Sequence, residues 1–304
     1  MPGAQGYPWH EANRSEYLAQ YFLTALGVSA PVIRQEDIGV DFYCALSHEE
    51  NKKLTFHSPY AVQAGSAASK DFIYGGFAPK DKKHLKWRKH GVEWLFAQEI
   101  PLFACTVDRS AARFRLYSTS AMWLLRYQFG LMTEIELCPD ARHDPLRKSR
   151  RARIDKKGKG DGYSYRVPLG NPVVDVTVPE LEGEKLDKAR EAITVAIRLE
   201  QANITYRRLG VHVASWFTDI VPNDATSLAT VGGSFFWNST PGQNVGGQID
   251  ALKNIGITLA LNLDAQGQTA AIADLAPVFK FFKKQTIPAW IQSKLPAAIQ
   301  ANLV

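Results

Sequence analysis

The sequence predicts an α/β protein in two parts, and three observations carry that expectation. In the first half, segments with helical spacing alternate with short β-branched and aromatic runs. A basic stretch nearly devoid of apolar residues follows. The second half is dominated by one long amphipathic helix preceded by extended segments. The expected organisation is an α/β unit over 1–140, with a mixed sheet flanked by helices, a basic linker over 141–165, and an α+β accessory domain over 166–304.

In the first part, Glu11 to Leu26 has helical spacing. Tyr17 and Tyr21, and Leu18, Phe22 and Ala25, fall on adjoining faces, and Gly27 stands where a helix ends. Val32-Ile33 and Val40 to Leu46 are expected strands, with Asp37-Ile38-Gly39 as the turn between them. The polar run Ser47 to Lys53 predicts a loop, and Leu54 to His57 with Tyr60 to Ala64 a further strand region. Ser66 to Pro79 is small and Gly-rich and predicts a mobile loop able to cover a groove. Lys80 to Gln98 sets Leu85, Val92, Leu95 and Phe96 at helical spacings. Pro101 to Val107 reads as a buried strand, Arg113 to Tyr117 as its half-exposed hairpin partner, and Ser118 to Phe129 as a short helix.

In the second part, Val167 to Leu169 and Pro172 to Val178 are extended segments punctuated by prolines. Across Glu184 to Leu209, Leu186, Ala189, Ile193, Ile197, Glu200 and Ile204 trace one stripe; acids lead and Arg207-Arg208 close, in agreement with the helix dipole. Val211 to Phe217 and Ser234 to Trp237 are expected strands, Ile249 to Gly256 a short helix, and Ile257 to Leu263 a strand. The tail through Phe279, Phe281, Phe282 and Trp290 is helical and apolar, broken by Pro277, Pro288 and Pro296. Its aromatics are candidates for contact with a second copy. No internal repeat is evident.

Charge is unevenly placed. Residues 1–140 carry 15 Lys and Arg against 15 Asp and Glu, residues 141–165 carry 9 against 3, and residues 166–304 carry 12 against 12. The whole excess of +6 therefore lies in the join. Three cysteines without a C-x-x-C pattern exclude a disulfide framework and a zinc cluster, and point to reduced buried thiols. No apolar stretch reaches the ~18 residues of a membrane span, and the N-terminus lacks signal-peptide features, so a cytoplasmic protein without membrane contact is expected. The seven histidines show no metal-ligand spacing. No G-x-S-x-G elbow or P-loop lysine is present, which argues against hydrolase triads and nucleoside triphosphatases.

The candidate site lies on two neighbouring segments. Ile38 to Cys44 and Tyr60 to Ser66 read as paired strands that present Asp41 and Gln63 from one sheet edge. Metal-dependent phosphodiester cleavage needs a divalent ion held by carboxylate and carbonyl oxygens. Asp41, the carbonyl of Ala64, and Glu16 through a water are the expected ligands, with Gln63 as a weaker oxygen donor.

This order resembles the PD-(D/E)XK nuclease superfamily: Glu16 on a first helix, Asp37-Ile38-Gly39-Val40-Asp41 leading into a strand, then Val62-Gln63-Ala64-Gly65-Ser66. More narrowly it resembles a bacterial domain of unknown function whose strands read D-x-G-I-D and V-Q-V-K-S, over roughly residues 11–130. The resemblance implies a magnesium- or manganese-dependent DNA endonuclease in a bacterial defence setting, with a defence-system partner. It makes Asp41 the metal-binding acid, Gln63 the occupant of the (D/E) position and Glu16 the helix acid. The family's lysine falls on Gly65, which has no side chain. Three readings stay open: catalysis is lost and nucleic-acid binding kept, Lys70 reaches in from the loop, or the position has been engineered.

The alternative to a nuclease is a non-catalytic nucleic-acid-binding or scaffold protein. In either case DNA is the expected partner, with RNA open. Arg147, Lys148, Arg150, Arg151, Arg153, Lys156, Lys157 and Lys159, interrupted by the single acid Asp155, form a stretch suited to phosphate contact through counterion release, or a solvated linker. Lys80 to Lys89 around Trp87 is a second, weaker basic run.

Overall fold

The structure is a computed structural model. It describes residues 7–32, 39–50, 53–67, 71–75, 92–119, 122, 132–139, 147–151, 163–169, 172–210 and 245–304. Helix α1 (Tyr7–Leu26) leads directly into β1 (Gly27–Pro31), β2 (Phe42–Glu50) and β3 (Lys53–Ser66). Then come β4 (Phe72–Gly75), β5 (Leu102–Asp108), β6 (Arg113–Ser118), β7 (Met132–Cys138), β8 (Arg147–Arg151), β9 (Tyr163–Pro168) and β10 (Val174–Thr177). The rest of the described chain is mostly helical: α2 (Gly183–Arg208), α3 (Val245–Ala265), α4 (Thr269–Leu275), α5 (Ala289–Gln292) and α6 (Ala297–Gln300).

The strands form two sheets. A six-stranded mixed sheet runs β1-β2-β3-β5-β6-β10, and a four-stranded sheet runs β4-β7-β9-β8. In the larger sheet β3 and β5 are parallel and every other pair is antiparallel. The fold is therefore mixed α/β, as its alternating segments predict.

Strand periodicity divides the larger sheet into two faces. Phe42, Cys44 and Leu46, Tyr60 and Val62, Phe103, Cys105 and Val107, and Phe114 and Leu116 all point to one face and are buried. Ala19, Phe22, Leu23 and Leu26 of α1 cover that face, recurring at the spacing that gives a helix one apolar stripe. Phe22 stacks on Phe114 with centroids 5.1 Å apart, and Tyr60 meets Phe103 edge-on at 5.8 Å. On the other face, Ala61, Leu102, Ala104 and Tyr117 pack with Phe72 and Tyr74 of β4, Ile135 and Leu137 of β7, and Val92, Leu95 and Phe96 of a helical turn at 92–96.

The expected division into separate N- and C-terminal units does not coincide with this core. β10, from the second half, pairs with β6, and Arg113 binds Asp175 through both carboxylate oxygens at 2.6 Å. Helix α2 lies on the same face as α1, and Ala189, Ile193, Ile197 and Tyr206 join a cluster that extends from Ala19 to Ile299. Arg190 Nη2 donates to the carbonyl of Ala25 at 2.9 Å, satisfying a backbone group at the end of α1.

Four local expectations change. Arg147 to Arg151, read as the start of a linker, is an edge strand whose backbone pairs with β9. Ser47 to Lys53, read as a loop, is largely ladder: β2 continues to Glu50 and β3 begins at Lys53, so the hairpin projects as an arm with Leu54 and Phe56 exposed. Backbone pairing does not require apolar side chains, and that is why polarity misled there. Ile257 to Leu263 is helical within α3, because Leu252, Gly256, Ile257 and Ala260 face Tyr206 and the core at helical intervals. A strand follows α1 already at Gly27–Pro31, ahead of the expected Val32-Ile33, of which Ile33 lies outside the described residues. A Cβ on Gly27 would lie 2.1 Å from the Ala45 carbonyl oxygen, so only glycine admits that pairing.

A repeat also emerges at the C-terminus. Ile287-Pro288-Ala289-Trp290-Ile291-Gln292 and Leu295-Pro296-Ala297-Ala298-Ile299-Gln300 adopt the same turn. Each opens on an extended proline, and each glutamine Nε2 returns to the carbonyl before that proline at 2.7 Å. A fifth change is that Phe72–Gly75, within the expected loop Ser66 to Pro79, is strand β4; most of Lys80 to Gln98 and of Ser118 to Phe129, and all of Val211 to Phe217 and Ser234 to Trp237, lie outside the described residues.

Candidate functional site

Asp41 stands one residue before β2, where the ladder pairs Phe42 with Val62; one step further, Asp41 is opposite Gln63. The Asp41 N–H donates to the Val62 carbonyl at 2.9 Å, and the Ala64 N–H donates to Asp41 Oδ2 at 2.6 Å. Thus Asp41, Gln63 and Ala64 come together as the sequence predicts. The short bond to Ala64 is charge-assisted and fixes the carboxylate against the end of β3.

Gln63 and Gly65 share the sheet face opposite α1, since Val62 and Ala64 pack on the α1 side. Gln63 Oε1 is buried without a hydrogen-bond partner among the described residues. A Cβ on Gly65 would stand 3.0 Å from Phe72 Cε1 and 3.2 Å from Cζ, so a side chain there would require the Phe72 ring to give by a few tenths of an ångström. Lys70, the cation that would compensate from the loop, lies outside the described residues.

Glu16 is half-buried on α1, and α1 covers the other face of the sheet. Among the described residues no three His, Cys, Asp or Glu side chains converge to hold a metal ion. Asp41, the backbone of Ala64 and the Gln63 amide are neighbours at the ends of β2 and β3. Gly65 offers no charged group to position an attacking water. The orphaned amide oxygen instead calls for a hydrogen-bond donor, which a bound ligand can supply.

Below the site the α1 face holds a cluster of buried thiols and a phenol. Burial pushes the Cys44 thiol up to about 11, against smaller opposing hydrogen bonds from Ser29 and Tyr60. Burial, then the charges of Cys44 and Asp41, raise Cys105 well above its ordinary range. Cys44, Cys105 and Cys138 are buried thiols outside any disulfide. They are packing residues.

Of the basic stretch, Arg147, Lys148, Arg150 and Arg151 lie on β8, opposite Arg166, Tyr165, Ser164 and Tyr163 of β9, at the edge of the smaller sheet. Arg153, Lys156, Lys157 and Lys159 lie outside the described residues. Among the described residues no helix is long and apolar enough to cross a membrane.

Two features take a place that the sequence reading did not give them. Glu200 and Asn203 are buried on α2; Ser118 Oγ, at the end of β6, donates to Glu200 Oε1 at 3.5 Å, beside a small cavity lined by Pro101, Thr119 and Arg207. An acid at a stripe position of an amphipathic helix was the available signal. The other is Trp290, the most exposed of the large aromatics in the C-terminal helices. No family model, curated protein or solved structure matches the chain.

Proposed function

We propose that the chain is a non-catalytic nucleic-acid-binding protein built on a PD-(D/E)XK-like sheet. The observation that carries this reading is the arrangement at the ends of β2 and β3. Asp41 and Gln63 sit side by side as in the nuclease motif, yet the Phe72 ring lies against Gly65 and Glu16 belongs to the helix on the other face. The polar pair supports binding, and Gly65 supplies no cation at the position where the motif it resembles has a lysine. The basic strand β8 supports a polyanionic partner, because clustered Lys and Arg gain affinity by releasing counterions from phosphates. DNA is the first candidate and the bacterial-defence setting rests on the resemblance.

Supercoiled plasmid incubated with the protein and magnesium or manganese should remain intact while a labelled duplex is bound. Charge-neutral substitution of Arg147, Lys148, Arg150 and Arg151 should flatten the salt dependence by about 0.9 logarithmic units per lost phosphate contact. Metal-dependent cleavage that Asp41→Ala abolishes would sink this reading in favour of an active endonuclease.

A further inference from the structure

We propose that Trp290 and the lysines around it form a contact surface for single-stranded nucleic acid, with the indole as a stacking platform for an unpaired base. The inference rests on the nucleic-acid reading and adds to it a second surface and a strand preference.

The repeated turn supplies the first argument. In both copies the proline opens the turn, the glutamine closes it, and Ile287 and Leu295 anchor it in the core. Positions 290 and 298 are equivalent and both are exposed. The second copy holds its turn with Ala298, so the framework does not need an aromatic residue. Trp290 nevertheless stands 66% exposed, whereas Phe279 and Phe282 nearby are buried. Its large ring is presented outward, and the turn does not require it.

Charge supplies the second. Residues 276–304 hold Lys280, Lys283, Lys284 and Lys294 and no Asp or Glu. All four lysines are exposed, and Lys294 Nζ lies 5.7 Å from the centre of the Trp290 ring. Gln292 Nε2 donates to the Lys284 carbonyl at 3.0 Å, stitching the lysine-bearing turn to the one that carries Trp290. An outward indole beside exposed ammonium groups matches a chain of phosphates bearing free base faces, with Asp250, bound by Lys253 next to Thr286, as a nearby acid. A duplex hides those faces in its stack. A lipid surface would favour further apolar side chains beside the indole, but Ala289, Ser293 and Lys294 are its exposed neighbours.

The test is fluorescence anisotropy of the full chain with a labelled thymidine oligonucleotide of about 20 nucleotides and with a duplex of the same length, each against salt. Trp290→Ala should weaken the single-strand complex about tenfold or more, leave the duplex within about twofold, and be largely rescued by Trp290→Phe. Lys283→Glu with Lys284→Glu should weaken the single-strand complex and reduce its salt slope. Circular dichroism and Tm control for folding. If the parent binds nucleic acid and Trp290→Ala binds the single strand equally well, this surface is wrong while the broader reading stands. A parent that binds neither probe refutes both. Loss in Trp290→Ala confined to phosphatidylserine vesicles overturns the proposal in favour of a lipid surface.

Discussion

The face of the six-stranded sheet beneath α1 and α2 is filled by apolar side chains contributed from both ends of the chain, from Ala19 to Ile299. The opposite face carries a smaller cluster and, at its margin, Asp41, an unpartnered Gln63 oxygen and a glycine pressed against Phe72. Close packing makes the first face the main source of stability, although it also holds the Cys44 and Cys105 thiols, the Tyr60 phenol and, on α2, the buried Asn203. On the second face the Gln63 oxygen is a group that is costly to leave without a partner, which supports a ligand there.

The largest test of this contrast is to divide the chain. A fragment ending at residue 165 lacks β10 and α2, exposing Phe114 and Leu116, and should show no cooperative unfolding transition. A fragment that melts cooperatively would restore two independent units. Next, Phe22→Ala removes the ring stacked on Phe114 and should cost roughly 3–5 kcal/mol in urea unfolding. A loss below about 1 kcal/mol would show that the α1 face is not the shared core.

On the other face the sign should reverse. Gln63→Met keeps the volume and removes the orphaned oxygen, so it should stabilise the protein by roughly 1–3 kcal/mol while weakening nucleic-acid binding. Destabilisation with binding unchanged would make Gln63 a structural residue. The smallest effect is electrostatic. The hydrogen bonds of Lys185 and of the Thr177 backbone and side chain hold the Glu180 carboxyl at about 2, below its ordinary 4.5. A carboxyl lowered on folding stabilises above the unfolded value and loses that contribution as pH falls towards the folded one. Glu180→Gln should therefore flatten acid unfolding between about pH 4.5 and 2, and an unchanged profile would remove Glu180 from the account.

The candidate site was legible in part. Asp41 and Gln63 could be paired from sequence because a two-residue period and short apolar runs fix which side chains share an edge. The place of Glu16 could not, because helical spacing gives the face a helix buries but not which side of a sheet that helix covers. Gly65 was visible as a missing lysine. That Phe72 stands against it depends on a contact with a strand that only folding brings near.

By itself the sequence determined the alternation of helices and strands, the long α2, the buried thiols and the location of the excess charge. Each is a local property, written in spacing, composition or capping. Tertiary structure decided that β10 completes the first sheet, that Arg147–Arg151 pairs as a strand, that Ile257 to Leu263 is helical, and that Trp290 faces outward. In each case a short apolar or basic run is compatible with more than one conformation, and partners far along the chain select one by the backbone groups they pair and the apolar area they cover.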